Sequence, residues 1–126
     1  MRGPARRRTF AGLAALLLAI YGVTPARAAL DAAQTARVER LLDRVAAQTD
    51  VRFIRNGESH SAEAAAEHLR LKLRNAGRRI STAEQFVEHL ASRSSVTGRP
   101  YRLRFPDGSE VDAGPWLMKA LAEIRP

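Results

Sequence analysis

The chain has 126 residues, no cysteine and a formal net charge of +8 at pH 7. This length suffices for one compact core, and the lack of cysteine excludes disulfides, thiolate metal sites and lipid attachment through a cysteine. The first 28 residues hold five arginines and no acid, so the remainder carries 16 basic and 13 acidic residues, a net charge of +3. Because these charges alternate in sign along the chain, we expect no nucleic-acid partner.

The first 28 residues have the three parts of a secretory signal peptide. A basic start, MRGPARRRT, leads into an apolar run from Phe10 to Val23 and then into the small-x-small sequence Ala26-Arg27-Ala28. The run of about 14 residues is shorter than the roughly 20 that cross a bilayer. We therefore expect cleavage after Ala28, a periplasmic location and no transmembrane segment after cleavage. The Arg7-Arg8 pair leaves both the general secretory route and the twin-arginine route open.

Residues 29–126 are predicted to form a single domain that begins with an amphipathic helix. Between Asp31 and Gln48, apolar residues recur at positions i, i+3, i+4 and i+7, which places them on one helical face. The residues on this face are Val38, Leu41, Leu42 and Val45.

A β-hairpin follows, centred on Asn56-Gly57. Both residues tolerate the positive φ angles of a type I′ turn, and the preceding run from Val51 to Arg55 is rich in β-branched and aromatic residues. The two-residue turn predicts a register in which Phe53 faces His60, Ile54 faces Ser59 and Arg55 faces Glu58.

Two further helices are predicted after this hairpin. Ser61 is placed to cap a helix from about Ala62 to Asn75, and Gly77 suits the left-handed position that ends it. Ser81-Thr82-Ala83-Glu84 has the pattern of a capping box and would begin a third helix that ends near Arg93.

The last third of the chain predicts a polar loop, a second hairpin and a helix. The loop covers residues 92–100. Apolar and basic residues then alternate from Tyr101 to Phe105, which is typical of a half-buried strand, and Pro106-Asp107-Gly108 turns the chain into a return strand from Ser109 to Asp112. Gly114-Pro115 begins the final helix.

The predicted fold is therefore α+β, with three to four helices packed on a small antiparallel sheet built from two β-hairpins. The side chains expected in the core are Val38, Leu41, Leu42, Val45, Phe53, Leu69, Leu73, Phe86, Leu90, Tyr101, Leu103, Phe105, Trp116, Leu117 and Leu121.

Several segments of residues 35–105 together resemble a family of small exported bacterial proteins, the YfeK-like family, which is a domain of unknown function. The segments are FIRNG with His60, HLRLKL, TAEQF, and SSVTG with Pro100-Tyr101. The resemblance implies export, small size and an uncharacterised function, and it assigns no residue a catalytic role.

Histidines and acids suggest a metal site, but their spacing argues against one. Glu63 and Glu67 point to a different side of the second helix from His68, and no His-x₃-His pair is present to bind one ion. We expect no metal and no other cofactor.

A hydrolase is the alternative function, with Ser94 or Ser95 as nucleophile, His60 as base, and Asp50 or Glu63 orienting that base. No Gly-x-Ser-x-Gly motif supports it. The competing interpretation is that the hydroxyls of this loop bond to their own backbone after the third helix.

Anion binding is the function that we prefer, in a non-enzymatic binding or accessory protein of the bacterial envelope. The arginines of the loop and of the following strand project from one surface, and hydroxyl and backbone donors lie nearby. The expected partner is an anionic envelope component, such as a peptidoglycan carboxylate or a lipid phosphate, or an envelope protein. Arginines on an exposed strand face can equally be solvated without binding anything. The candidate residues are Arg55, Asn56, His60, Ser94, Ser95, Thr97, Gly98, Arg99, Arg102 and Arg104.

Overall fold

A computed structural model describes Gly3 and residues 29–125. The predicted leader, with its cleavage site after Ala28, lies outside the described residues apart from Gly3. Over residues 29–125 the main helices are α1 (Ala32–Ala46), α2 (Ala62–Ala76), α3 (Ala83–Gln85) and α4 (Ala113–Glu123), and the strands are β1 (Arg52–Arg55), β2 (Glu58–His60), β3 (Arg102–Arg104) and β4 (Glu110–Asp112). This arrangement confirms the predicted α+β class. No helix in the described part of the chain is long and apolar enough to cross a membrane.

The two hairpins join side by side into one antiparallel sheet with the order β2-β1-β3-β4. In the first hairpin, Phe53 pairs with His60 and Arg55 pairs with Glu58, so the predicted register is confirmed. Asn56 and Gly57 have φ angles of 51° and 81°, as a type I′ turn requires. The hairpins meet through β1 and β3, where Phe53 lies opposite Leu103. β1 and β3 therefore form the centre of the sheet.

Helix α1 supplies the largest continuous part of the core. Its predicted apolar face is fully buried, and the Asp31 carboxylate caps its first turn by accepting a hydrogen bond from the backbone N–H of Gln34 at 2.8 Å. The four buried side chains are Val38, Leu41, Leu42 and Val45. This part of the sequence prediction is confirmed residue by residue.

The core prediction was wrong at some positions. Four side chains expected inside are only half-buried: Leu73, Leu90, Phe105 and Trp116. Buried side chains that the prediction omitted include Val51, Ile54, Ile80, Val87 and Ile124. Ile54 shows one physical reason, because β1 is a central strand and places Ile54 between Ser59 of β2 and Arg102 of β3.

The third predicted helix has a different winding from the one expected. After α3 the chain continues as a π-helical segment from Phe86 to Ala91, and Ser92 Oγ closes it by donating a 2.6 Å hydrogen bond to the Val87 carbonyl. The capping box is also shifted by one residue, since Thr82 rather than Ser81 accepts from the N–H of Gln85. Thr82 and Gln85 satisfy the same spacing rule, so the pattern alone did not distinguish the two positions.

Gly114 allows α4 to approach the end of this π-helical segment. A Cβ atom built at Gly114 would lie 2.8 Å from Ser92 Oγ and 3.2 Å from Ser92 Cβ. Distances this short require the backbone or the Ser92 side chain to shift. The glycine therefore fixes the position of α4 next to the loop that forms one wall of the site described below.

Candidate functional site

A cleft of about 490 Å³ lies between α2, the turn of the first hairpin and the loop after the π-helical segment. We call it the basic cleft. Its lining residues are Arg55, Asn56, His68, Lys72, Asn75, Ala76, Arg79, Leu90, Ser94, Ser95, Val96 and Tyr101. A volume of this size is in the range of small-molecule sites.

Positive charge dominates the basic cleft. Arg55, Lys72 and Arg79 line it, and none of its lining residues is an aspartate or a glutamate. Within residues 29–125, neither Arg55 nor Lys72 takes part in an ion pair with a carboxylate. A positive charge at a partly buried position is destabilising unless hydrogen bonds, an aromatic ring or an anion compensate for its desolvation, and a bound anion would add to such compensation here.

Lys72 lies at the centre of a hydrogen-bonded group. Its Nζ donates to the Tyr101 hydroxyl at 3.0 Å and to the Arg93 carbonyl at 3.0 Å. His68 Nε2 lies 3.4 Å from the same hydroxyl, and the His68 and Tyr101 rings meet edge to face. Two polar side chains from α2 and that of Tyr101, which directly precedes β3, therefore converge on one wall of the basic cleft.

The electrostatic environment perturbs all three of these groups. Burial, together with the neighbouring Arg55 guanidinium, lowers the pKa of Lys72 from 10.5 to about 8. Burial, followed by the charges of Arg55 and Lys72, holds the pKa of His68 below its ordinary value. Burial also raises the pKa of the Tyr101 hydroxyl. Perturbed groups gathered in a cleft are a physical indication of a functional site.

The loop that begins at Ser94 is built by its own hydrogen bonds. The Ser94 side chain is only 4% exposed, and its Oγ accepts from the backbone N–H groups of Val96 and Thr97. Asn56 ties the loop to the first hairpin, because its Nδ2 donates to Ser94 Oγ at 3.2 Å and its Oδ1 accepts from Thr97 Oγ1 at 2.6 Å. Ser94, Thr97 and Asn56 therefore shape the wall of the basic cleft.

The loop does not have the arrangement that a serine hydrolase needs. Within the described ranges, no serine hydroxyl of the loop forms a hydrogen bond with a histidine, and His60 lies instead at the end of β2 with its Nε2 3.9 Å from Glu58 Oε2. Neither Asp50 nor Glu63 forms an ion pair with His60 there. The geometry gives no support to a nucleophile activated by a base.

The arginines that were predicted to form one surface with the Ser94 loop do not all lie on the same side of the sheet. Side chains alternate along β3, so Tyr101 faces α2 and the cleft while Arg102 and Arg104 project from the opposite face. On that face Arg102 pairs with Glu110 and Asp112, and Arg104 pairs with Glu110 at 2.8 Å. These arginines are already neutralised by acids of β4.

The remaining predicted residues fall into two groups. The structure brings Arg55, Asn56, Ser94 and Ser95 together in the basic cleft, with Thr97 and Gly98 in its loop. Arg99 is exposed on the loop, and its side chain has no hydrogen bond within the described residues. Over the same residues no cluster of three or more His, Asp or Glu side chains is placed to bind a metal ion.

Sequence reasoning missed Lys72, His68 and Arg79 as site residues. A signal was present, since His68 and Lys72 are four residues apart and therefore share one face of α2. Their meeting with Arg55 and Tyr101 depends on contacts between distant parts of the chain, which spacing does not reveal.

A smaller apolar pocket of about 40 Å³ adjoins the basic cleft. The surface that it exposes is almost entirely apolar, although polar residues contribute to its walls. Its lining residues are Phe53, Ile54, Arg55, His60, Ala64, Ala65, His68, Leu69, Ala91, Tyr101, Ala113 and Leu117. We call it the apolar pocket. The π-helical segment contributes to both spaces, with Leu90 in the basic cleft and Ala91 in the apolar pocket. Such segments occur frequently at functional sites.

Comparison with known proteins agrees with the resemblance seen in the sequence. Residues 32–125 match the family described as "Family of unknown function (DUF5329)". The chain is also 44% identical over 95 residues to the uncharacterised protein YfeK of Salmonella typhimurium, and the alignment covers 75% of this chain and 76% of that protein. No solved structure matches the chain. The predicted resemblance to YfeK-like proteins is thus confirmed.

Proposed function

The chain belongs to the DUF5329 family of unknown function, and we propose from its geometry that it is an exported, non-enzymatic binding protein that takes up a small oxyanion in the basic cleft. The observation that supports this most directly is the pair Arg55 and Lys72, which lie in a cleft of about 490 Å³ whose lining contains no carboxylate. A bound carboxylate or phosphate would supply the missing negative charge.

The electrostatics of the free cleft favour such a ligand. Desolvation and the Arg55 charge make protonation of Lys72 less favourable than that of an ordinary lysine, which is why its pKa lies at about 8. An anion between the two groups would offset the repulsion and hold Lys72 in its ammonium form. Binding is thus coupled to the uptake of a proton wherever the pH is near or above the pKa of the free cleft.

The donors in the basic cleft suit an oxyanion. An arginine guanidinium can donate two parallel hydrogen bonds to a carboxylate or a phosphate, and a lysine adds a compact charge beside it. The Tyr101 hydroxyl lies next to Lys72, while the exposed Arg79 is positioned at the rim. A peptidoglycan carboxylate and a lipid phosphate share this chemistry, and both belong to the envelope that the leader sequence implies.

Export is supported by the basic, apolar and small-residue regions at the start of the chain. We expect the protein purified from a periplasmic extract to begin at Ala29. Intact-mass spectrometry of that material checks this, and a mass that includes the leader would contradict export with cleavage after Ala28.

The binding proposal is tested by titrating the protein with sodium acetate and with inorganic phosphate while amide chemical shifts are recorded by NMR. For the parent we expect saturable shifts confined to the basic cleft, with a Kd of about 1 mM or tighter. The Arg55→Gln, Lys72→Gln variant should lose at least about 10-fold in affinity, since two charge-assisted contacts are removed.

The matched control is the variant Arg102→Gln, Arg104→Gln, which removes the same number of charges from the opposite face of the sheet. Its affinity should stay within about twofold of the parent, because exposed charges at that distance are screened by salt. No saturable shift with either anion, or equal losses in both variants, would contradict an anion site in the basic cleft.

A further inference from the structure

The apolar pocket and the basic cleft are neighbours that share three lining residues. Arg55, His68 and Tyr101 line both spaces, so each of these side chains has one side toward the charged region and another toward the apolar one. The other walls of the apolar pocket, which is partly open, include Phe53, Leu69 and Leu117 from the sheet, α2 and α4. A ligand bound in the basic cleft therefore lies directly beside an unfilled apolar space.

The walls of the apolar pocket are suited to an aliphatic group rather than to water. The surface that the pocket exposes is almost entirely apolar and offers few polar partners to water, although His60, whose Nε2 is buried without a hydrogen-bond partner among the described residues, is one of its lining residues. A volume of about 40 Å³ exceeds the roughly 10–15 Å³ that one water needs on the same measure. The space thus accommodates several methylene or methyl groups, and it does not accommodate a ring system.

We propose that the ligand is a small amphiphilic anion, whose charged head group lies in the basic cleft while a short aliphatic part of about three to four carbons fills the apolar pocket. The inference rests on the proposed function, since it assumes an anion beside Arg55 and Lys72. It goes beyond that function by assigning the ligand a second recognition element. The charged side chains along the shared wall make the orientation unique, because reversal would bury the head group in the apolar pocket.

The proposal is tested by varying the length of the aliphatic chain of the ligand. Acetate, propanoate, butanoate, pentanoate, hexanoate and octanoate are titrated in turn, and methyl, propyl and pentyl phosphate form a parallel series. We expect affinity to rise about fourfold for each methylene that is buried, and to level off once the apolar pocket is filled. A rise in only one series assigns the head group as carboxylate or as phosphate.

Two variants test whether the gain in affinity with chain length arises in the apolar pocket. Ala64 and Ala65 line the apolar pocket from α2, where leucine is well tolerated because of its high helix propensity. At least one of Ala64→Leu and Ala65→Leu should occupy the apolar pocket, bind acetate as the parent does and lose the gain with chain length. Ala122→Leu, on the exposed face of α4 and away from the apolar pocket, is the matched control and should keep that gain.

The outcomes separate the two proposals. If acetate binds in an Arg55-dependent way but affinity does not change with chain length, the inference about the apolar pocket is overturned and the oxyanion site stands. The same conclusion follows if both leucine variants keep the full gain. If no member of either series binds, the oxyanion site itself is refuted.

Discussion

The Lys72 side chain should titrate with a midpoint near pH 8, well below that of an ordinary lysine. Desolvation is the larger cause and the Arg55 charge the smaller one, so Arg55→Gln should raise the midpoint only in part. A saturating oxyanion should raise it further, because the ammonium form then gains a partner.

The measurement is simple because the chain contains only two lysines, Lys72 and Lys119. Reductive methylation with ¹³C-formaldehyde labels both lysine amines and the α-amino group, and the methyl resonances are followed between pH 6 and pH 12. The α-amino group ordinarily titrates at about pH 8 as well, so the Lys72 resonance is assigned as the one that is absent from the Lys72→Met variant. Lys119 is solvent-exposed on α4 and serves as the internal reference. A Lys72 midpoint at or above that of Lys119 would contradict the burial of the amine in the basic cleft.

The lowered pKa of Lys72 also predicts how the stability of the fold changes with pH. The folded-state pKa of Lys72 is lower than its unfolded-state value, so between about pH 8 and pH 10.5 the unfolded chain binds more protons. The contribution of Lys72 to the free energy of unfolding should therefore increase as the pH rises through that window, which stabilises the folded protein. In the variant Lys72→Met this contribution should be absent, and urea denaturation at several pH values compares the two proteins.

Phe86→Ala should be the most destabilising single change in the fold, with a loss of about 3–5 kcal/mol in the free energy of unfolding. The Phe86 ring is fully buried at the first position of the π-helical segment, so its removal leaves a cavity as well as losing apolar contact. Since a domain of this size is stable by only about 5–15 kcal/mol, the variant should be close to unfolded at 37 °C.

Urea denaturation followed by circular dichroism measures the loss. Val96→Ala is the matched control, because Val96 is 92% exposed and should change stability by less than about 0.5 kcal/mol. A loss below about 1 kcal/mol for Phe86→Ala would mean that the π-helical segment is not anchored in the core.

The parts of the fold that sequence predicted well are those determined by neighbouring residues. The hairpin register follows from the two-residue turn at Asn56-Gly57, and the buried face of α1 follows from its helical spacing. The winding of residues 86–91 was not predictable in this way, because an apolar stripe of α-helical spacing is compatible with a π-helical segment too.

The candidate site was predicted only in part, for the same reason. Alternation along β3 correctly placed Arg102 on the outer face, but its acidic partners belong to β4 and become neighbours only through strand pairing. Conversely, Lys72 belongs to the candidate site because the first hairpin places Arg55 close to α2. Which arginines of the described residues form ion pairs with carboxylates is therefore determined by tertiary contacts. Arg102 has such partners, whereas Arg55 has none among these residues.

The pairing of β1 with β3 also sets the order in which the protein can assemble. Each hairpin closes locally, on a timescale of microseconds, whereas joining them closes a chain segment of about 50 residues and carries the larger entropic cost. Arg55 comes from the first hairpin and Tyr101 directly precedes β3, so the basic cleft is complete only after the two hairpins have joined. An intermediate in which both hairpins have formed but β1 and β3 have not yet paired is therefore not expected to bind the ligand.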